Sequence, residues 1–333
     1  MVAALISKII GMLYKSPLTT LIGRESFACF QFAQNAYFIL LMIASFSIPQ
    51  AVSKIMSERI AFKRYRDAQR VFKGALLYAV IAGGIAALVC IFGASILVPD
   101  NMANARLALQ MLAPTIFVSG ILGVFRGYFQ AYRNMLPTSI SQILEQIAVA
   151  TVALLASGFM VHHFANAGED TLQRWSAAGA TMGTGAGVCT AFLFMLFVYR
   201  VNHKTIAKKI KNDRVSVNES YRSIMKIILL IAAPIILSAF IYNVNGYING
   251  VMYTSILGWK GVPNSLVKQN YAEYGFFMTL INIPLTLAST APTSMMPEVS
   301  AQYAIGDLEE TKRKIDQATW IAMLISIPAS VGL

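Results

Sequence analysis

Nine apolar runs recur along the 333 residues, and most of the basic side chains between them fall in every second gap. The runs cover 1–14, 29–53, 71–98, 107–125, 137–161, 177–199, 224–257, 271–295 and 318–333. About 20 apolar residues cross the roughly 30 Å of a bilayer as a helix. Lipid offers the backbone no hydrogen bonds, so such runs must satisfy their own amides, as helices do. One set of gaps holds twenty Lys and Arg, clustered in 54–73, 126–133, 200–226 and 312–314, and the alternate set holds six. A bias in register with every span marks the richer side as cytoplasmic, and it places the N-terminus there too. Only 13% of the residues are charged and 56% are hydrophobic, whereas a soluble domain is about one quarter charged. The expectation is an all-α membrane protein with about nine transmembrane helices. The net charge of +12 then reflects topology and implies no nucleic-acid partner.

Cys29, Cys90 and Cys189 are far apart and lie in or beside apolar runs, so neither a disulfide nor a metal-ligand spacing is expected. His162 and His163, beside Glu169 and Asp170, do not amount to a metal site. No cleavable leader is visible at the first run, which carries Lys8. The absence of a nucleophile–base pair, phosphate loop or nucleotide motif argues against an enzyme and against an ATPase, and no cofactor is expected.

The end of the second run and the end of the eighth share a grammar: a polar-broken helix end, an amphipathic basic connector, then another span. Aligned without gaps, Pro49 falls on Pro292, Ser57 on Ser300, Arg70 on Arg313 and Ala75 on Ala318, an offset of 243 residues. Six spans per repeat in the same orientation imply two parallel six-helix bundles. The expected organisation is a first bundle over 1–200, a basic cytoplasmic linker over 201–222 and a partial second bundle over 223–333. On that offset the chain is expected to be a fragment that lacks part of its first helix and at least the last three helices of its second bundle.

Several motifs sit in this frame: L-I-S-K-I-I-G at 5–11, I-P-Q-A-V-S-K at 48–54, V-F-K-G-A-L at 71–76, R-G-Y-F-Q at 126–130 and P-T-S-I-S-Q-I-L-E-Q at 137–146. Their order and spacing resemble the multidrug/oligosaccharidyl-lipid/polysaccharide (MOP) exporter superfamily. Within it the chain is similar to the stage V sporulation protein B / YtgP branch, related to MurJ-type lipid II flippases. The resemblance implies a MOP/MATE-like fold of two helical bundles around a central cavity, worked by alternating access. It also implies the substrate class, undecaprenyl-linked sugar pyrophosphates such as lipid II, and a bacterial plasma membrane. Synthesis proteins of the cell wall are implied partners.

Carrying an anionic head group through hydrocarbon calls for cations facing a wet cavity. Lys8 matches the basic position of the family's S-[KR]-x-x-G motif, formed here by Ser7, Lys8 and Gly11. Lys15 and Arg24 bracket the first outer loop, and Lys268 lies at the outer mouth of the eighth span. The chain departs from the lipid II flippases in having no arginine over 38–51 and no charge over 275–295. A carboxylate within a membrane helix costs about 2.5–3.5 kcal/mol on insertion scales, so Glu145 needs a role. It binds a driving H+ or Na+, pairs with Lys8 or Arg126, or bonds to a neighbouring helix. Ser141 and Glu145, like Gln142 and Gln146, are four apart and form a polar stripe. In the seventh span Pro234, Asn243, Asn245, Gly246, Asn249 and Gly250 suggest a bent helix against the cavity. Gly179, Gly183 and Gly187 form a small-residue face for close packing. The basic connectors 54–73 and 200–226 read as cytoplasmic helices lying on anionic lipid headgroups.

The expected function is therefore export of lipid-linked wall or polysaccharide precursors from inner to outer leaflet, with coupling to H+, Na+ or the membrane potential left open. An ion-coupled multidrug exporter and a non-transporting scaffold of wall synthesis are the alternatives.

Overall fold

The computed structural model of the chain describes residues 2–42, 45, 48–217 and 219–332, apart from some side chains, chiefly in 2–8 and 279–305. Its elements are α1 (Val2–Leu13), α2 (Lys15–Ile22), α3 (Arg24–Leu41), α4 (Ile48–Ala61), α5 (Tyr65–Phe92) and the short α6 (Ala94–Leu97). A 3₁₀ turn at Asp100–Met102 leads to α7 (Ala105–Met111), α8 (Ala113–Ala131), α9 (Leu136–His163) and α10 (Glu169–Lys211). Beyond the linker come α11 (Tyr221–Trp259), α12 (Asn264–Ile305) and α13 (Leu308–Gly332). No strand occurs among the described residues. Five helical stretches there are long and apolar enough to cross a membrane: Tyr65–Phe92, Ala105–Ala131, Leu136–His163, Glu169–Asn202 and Tyr221–Ser238.

The burial pattern of α5 is that of a helix in lipid. Leu77, Ile81, Ile85 and Leu88 are exposed along one face. The opposite face buries Ala68, Ala75, Ala79, Gly83 and Ala86. Large residues outward and small residues inward suit a solvent of hydrocarbon, where association rests on close backbone approach.

The same principle explains two of the sequence motifs, which pack on each other. A Cβ on Gly127 of α8 would lie 2.7 Å from the Pro49 carbonyl oxygen and 2.9 Å from the Val52 side chain of α4. A glycine inside R-G-Y-F-Q therefore lets the I-P-Q-A-V-S-K helix touch α8. On α10, a Cβ on Gly179 would meet the Ala156 carbonyl at 3.0 Å, and one on Gly183 would meet the Val149 carbonyl at 2.6 Å. The glycine face is the α9–α10 seam.

Three sequence expectations change. The first span does not end at Tyr14, because α2 continues it to Ile22, so the expected outer loop between Lys15 and Arg24 is helical. Pro17 sits in the first turn of α2, where a missing N–H removes no helical bond. The turn itself is Gly23, with φ +80°. Nor do the basic connectors form separate surface helices. Residues 62–64 are a tight turn between α4 and α5, and 200–211 prolong α10 beyond its apolar stretch.

Turns fall on two sides. Residues 62–64, 132–135, 212–217, 219–220 and 306–307 lie at one, the basic side, and those at Gly23, 98–104, 164–168 and 260–263 at the other. Helices α5 and α13 begin at Tyr65 and Leu308, 243 residues apart.

The linker after α10 is strapped to the α4–α5 corner through Asp213, Val217 and Glu219. Glu219 pairs with Arg59 at 3.0 Å and with Arg64 at 2.7 Å. The buried carboxylate of Asp67 accepts the Val217 and Glu219 amides. Asp213 Oδ2 accepts the Arg66 amide at 2.7 Å and the Ser216 hydroxyl at 2.6 Å, and Oδ1 accepts the Val215 and Ser216 amides. Burial works to raise the Asp213 pKa, but the Ser216 hydroxyl and these amides outweigh it and hold the group well below the usual carboxylate range. A depressed folded-state pKa contributes stability above the unfolded value, about 3.9, and loses it as pH falls toward the folded one. Asp213→Asn is thus expected to lower the unfolding midpoint at pH 7, with the gap from the parent protein closing below about pH 4. A gap constant from pH 7 to pH 3 would contradict this.

Candidate transport cavity

A cavity of about 1020 Å³ lies between helices α1–α10 and helices α11–α12. Amides dominate its polar wall. Gln31, Gln34 and Asn35 come from α3, Gln50 from α4, Gln142 and Gln146 from α9, Asn245 and Asn249 from α11 and Asn282 from α12. Aromatic faces alternate with them, among them Tyr14, Phe30, Tyr37, Tyr247 and Tyr274. Amide groups donate and accept together, and aromatic faces are apolar platforms, so the wall can hold a large polyhydroxylated group.

Among the described residues, three charged side chains line the cavity, Lys15 of α2 and a pair from α8 and α9. Arg126 of α8 donates through Nη2 to Glu145 Oε2 of α9 at 2.6 Å and through Nε to the Ser141 hydroxyl at 3.0 Å. Ser141 in turn donates to the Thr138 carbonyl at 2.7 Å. The two charged side chains are 15% and 19% exposed, and both line the cavity, so the pair faces it and is not sealed in protein. Of the roles read for Glu145, pairing with Arg126 is the one the geometry displays.

Of the other sequence candidates, Lys15, Asn245 and Asn249 line the same cavity. The side chains of Lys8 on α1 and Asn243 on α11 lie outside the described residues. Arg24 and Lys268 are not in the cavity wall. Arg24 is exposed and pairs with Glu273 at 2.8 Å. Lys268, 7% exposed, donates to Gln173 Oε1 at 2.6 Å.

That contact belongs to a network at the side opposite the basic turns. Gln173 donates to Glu25 Oε2 at 2.7 Å, Gln269 donates to Glu25 Oε1 at 3.1 Å, and Asn104 donates to Gln173 and Asp170. Asn35 donates to the Tyr271 hydroxyl at 3.0 Å, and Tyr247 donates to the Leu97 carbonyl at 2.6 Å. Together these tie α11 to the end of α6, and α12 to α3, to the start of α10 and through Gln173 to Asn104 before α7.

Sequence reading passed over Gln31, Gln34 and Asn35. Their i, i+3, i+4 spacing inside an apolar run was the available signal, since it places three amides on one helix face. Nothing local marked Glu25 or Gln173, which meet across about 150 residues of chain.

Two helical groups around a polar cavity in a multi-pass membrane protein define a transporter fold. The chain is similar to the inward-facing structure of a multidrug resistance MATE family transporter of the MOP superfamily, with a TM-score of 0.67 and 16% identity over 99% of this chain and 68% of that one. A MOP superfamily transporter from Pyrococcus furiosus aligns with a TM-score of 0.55 and 15% identity over 99% of this chain and 68% of that one. These likenesses show the fold. Residues 1–301 match the polysaccharide biosynthesis protein family, and the chain belongs to that family. It is 24% identical to the lipid II flippase MurJ of Bacillus subtilis (strain 168) over 98% of this chain and 61% of the relative. To stage V sporulation protein B of the same organism it is 24% identical over 97% of this chain and 61% of the relative. The chain thus spans about three fifths of the length of these relatives.

Proposed function

We propose that this chain forms the cavity-bearing part of a flippase that moves lipid-linked sugar pyrophosphates, lipid II or a close analogue, across a bacterial plasma membrane. The observation that carries the reading is the cavity wall, with amides and rings suited to sugars and cationic side chains at Arg126 and Lys15. The head group enters from the basic side, taken as cytoplasmic, while the isoprenoid tail stays in lipid. Rocking of the two bundles breaks the Lys268–Gln173–Glu25 network and opens the other side. No ion is assigned to drive the cycle.

The test is flipping of a fluorescent lipid-linked saccharide in vesicles reconstituted with the protein. Lys15→Ala and Lys8→Ala are each expected to lower the rate about tenfold or more, as loss of a cation near a phosphate of about 1.4 kcal/mol would do. Membrane abundance should not change. Parent-level flipping by Lys15→Ala would remove the role given to that cation, and a parent protein that flips nothing would remove the reading itself.

A further inference from the structure

The basic side carries a second hollow, separate from the central cavity, of about 410 Å³. Lys63 from the α4–α5 turn, Lys208 and Lys209 from the last turn of α10, and Arg214 from the linker line it. The one carboxylate in its wall, Asp213, has both oxygens engaged by the Arg66, Val215 and Ser216 amides and the Ser216 hydroxyl. Four cations therefore converge on one carboxylate that is already bonded to its own backbone.

Two features set individual cations apart. Lys209 Nζ lies 5.9 Å from the Tyr65 ring centre and 5.3 Å from that of Tyr132, so two rings flank its charge. Lys63 adopts φ +59°, a left-handed conformation that disfavours a side-chain-bearing residue relative to glycine. The turn would close more easily with glycine, yet a lysine lines the hollow.

The hollow also sits where a membrane surface would be. Tyr65 opens α5 and Tyr132 caps α8, the level at which tyrosine rings favour the bilayer interface. Phe62, Val215 and Val217 are 71%, 59% and 74% exposed beside the basic groups. Apolar side chains standing out around a cationic hollow suit insertion between acyl chains, which a soluble anion would not require.

We propose that this hollow binds the phosphate of an anionic phospholipid from the facing leaflet and so anchors the linker between the bundles to the membrane. The proposal does not depend on what the central cavity carries.

The reporter is Val215→Trp in nanodiscs, whose added fluorescence is quenched by brominated phosphatidylglycerol or, at the same mole fraction, brominated phosphatidylcholine. The expected preference for phosphatidylglycerol is about tenfold, the size that one or two basic residues at an anionic surface account for. Lys63→Ala with Lys208→Ala should bring it near unity, while Lys63→Arg with Lys208→Arg keeps it. Lys54→Ala with Lys312→Ala removes the same charge from the same side and should leave the preference intact. Far-UV circular dichroism checks that each variant keeps its helices. Equal quenching by the two lipids in the reporter protein overturns the proposal. So does an equal fall in the Lys54/Lys312 variant, which would mean diffuse surface charge. Loss of the preference on adding millimolar inorganic phosphate would assign the hollow to a soluble anion and overturn the lipid.

Discussion

Gly183→Leu is expected to lower the thermal unfolding midpoint in detergent by on the order of 5–10 °C, the equivalent of roughly 3 kcal/mol. Even the first carbon of a side chain there would stand 2.5 Å from Ala153 Cβ, 2.6 Å from the Val149 carbonyl and 2.7 Å from the Ala153 amide. Two of these neighbours are backbone, so no rotamer change relieves them and α9 must move away from α10. The displacement reaches the cavity, because Glu145 lies on the same helix and its carbonyl would be 2.7 Å from a Cβ on Gly187. Gly84→Ala is the matching control, with nothing within 4 Å of its added carbon. It should be neutral, or stabilising by up to about 1 kcal/mol through helix propensity. An unchanged midpoint for Gly183→Leu would show that the seam is looser than the geometry requires.

Removing one side of the Arg126–Glu145 pair is expected to have the other large effect. Breaking a fully buried ion pair costs about 3–5 kcal/mol through the charge left behind. Here 15–19% exposure to the cavity lowers that to about 1–3 kcal/mol. Arg126→Ala and Glu145→Ala should each destabilise. The double variant should be more stable than the sum of the singles, with a coupling of about 1–2 kcal/mol in a double-mutant cycle. Transport separates packing from substrate contact. If the guanidinium meets the pyrophosphate, the double variant recovers stability and stays inactive. A double variant that flips at the parent rate would make the pair purely structural.

Much of the fold was legible because the bilayer allows so few solutions. Apolar length, loop charge and repeat grammar all report on single helices, and each is written in contiguous residues. Boundaries were less legible. Pro17 reads as a break until its place in the first turn of α2 is known, and the basic run at 200–211 continues a helix that the apolar pattern alone would stop.

The candidate site divides along the same line. The polar stripe on α9, the amides of α11 and the glycine face of α10 were visible as spacings, and the structure places Glu145, Asn245 and Asn249 on one cavity. Lys268 and Arg24 were read as cavity cations because charge near a span end looks alike whichever way it points. Only packing shows that Gln173 and Glu273 take them up. Tertiary structure also decided that Glu145 has Arg126 as its partner, and that the linker's acidic groups are bound to the α4–α5 corner.

By itself, then, the sequence determined a multi-pass helical membrane protein of two-bundle grammar, since hydrocarbon forces each span to satisfy its own backbone and to declare itself in composition. Which side chains face the cavity, which are neutralised and which converge on the basic hollow was decided by the tertiary structure. Those properties depend on contacts between helices some 20 to 250 residues apart, and no local pattern encodes the rotation of one helix against another.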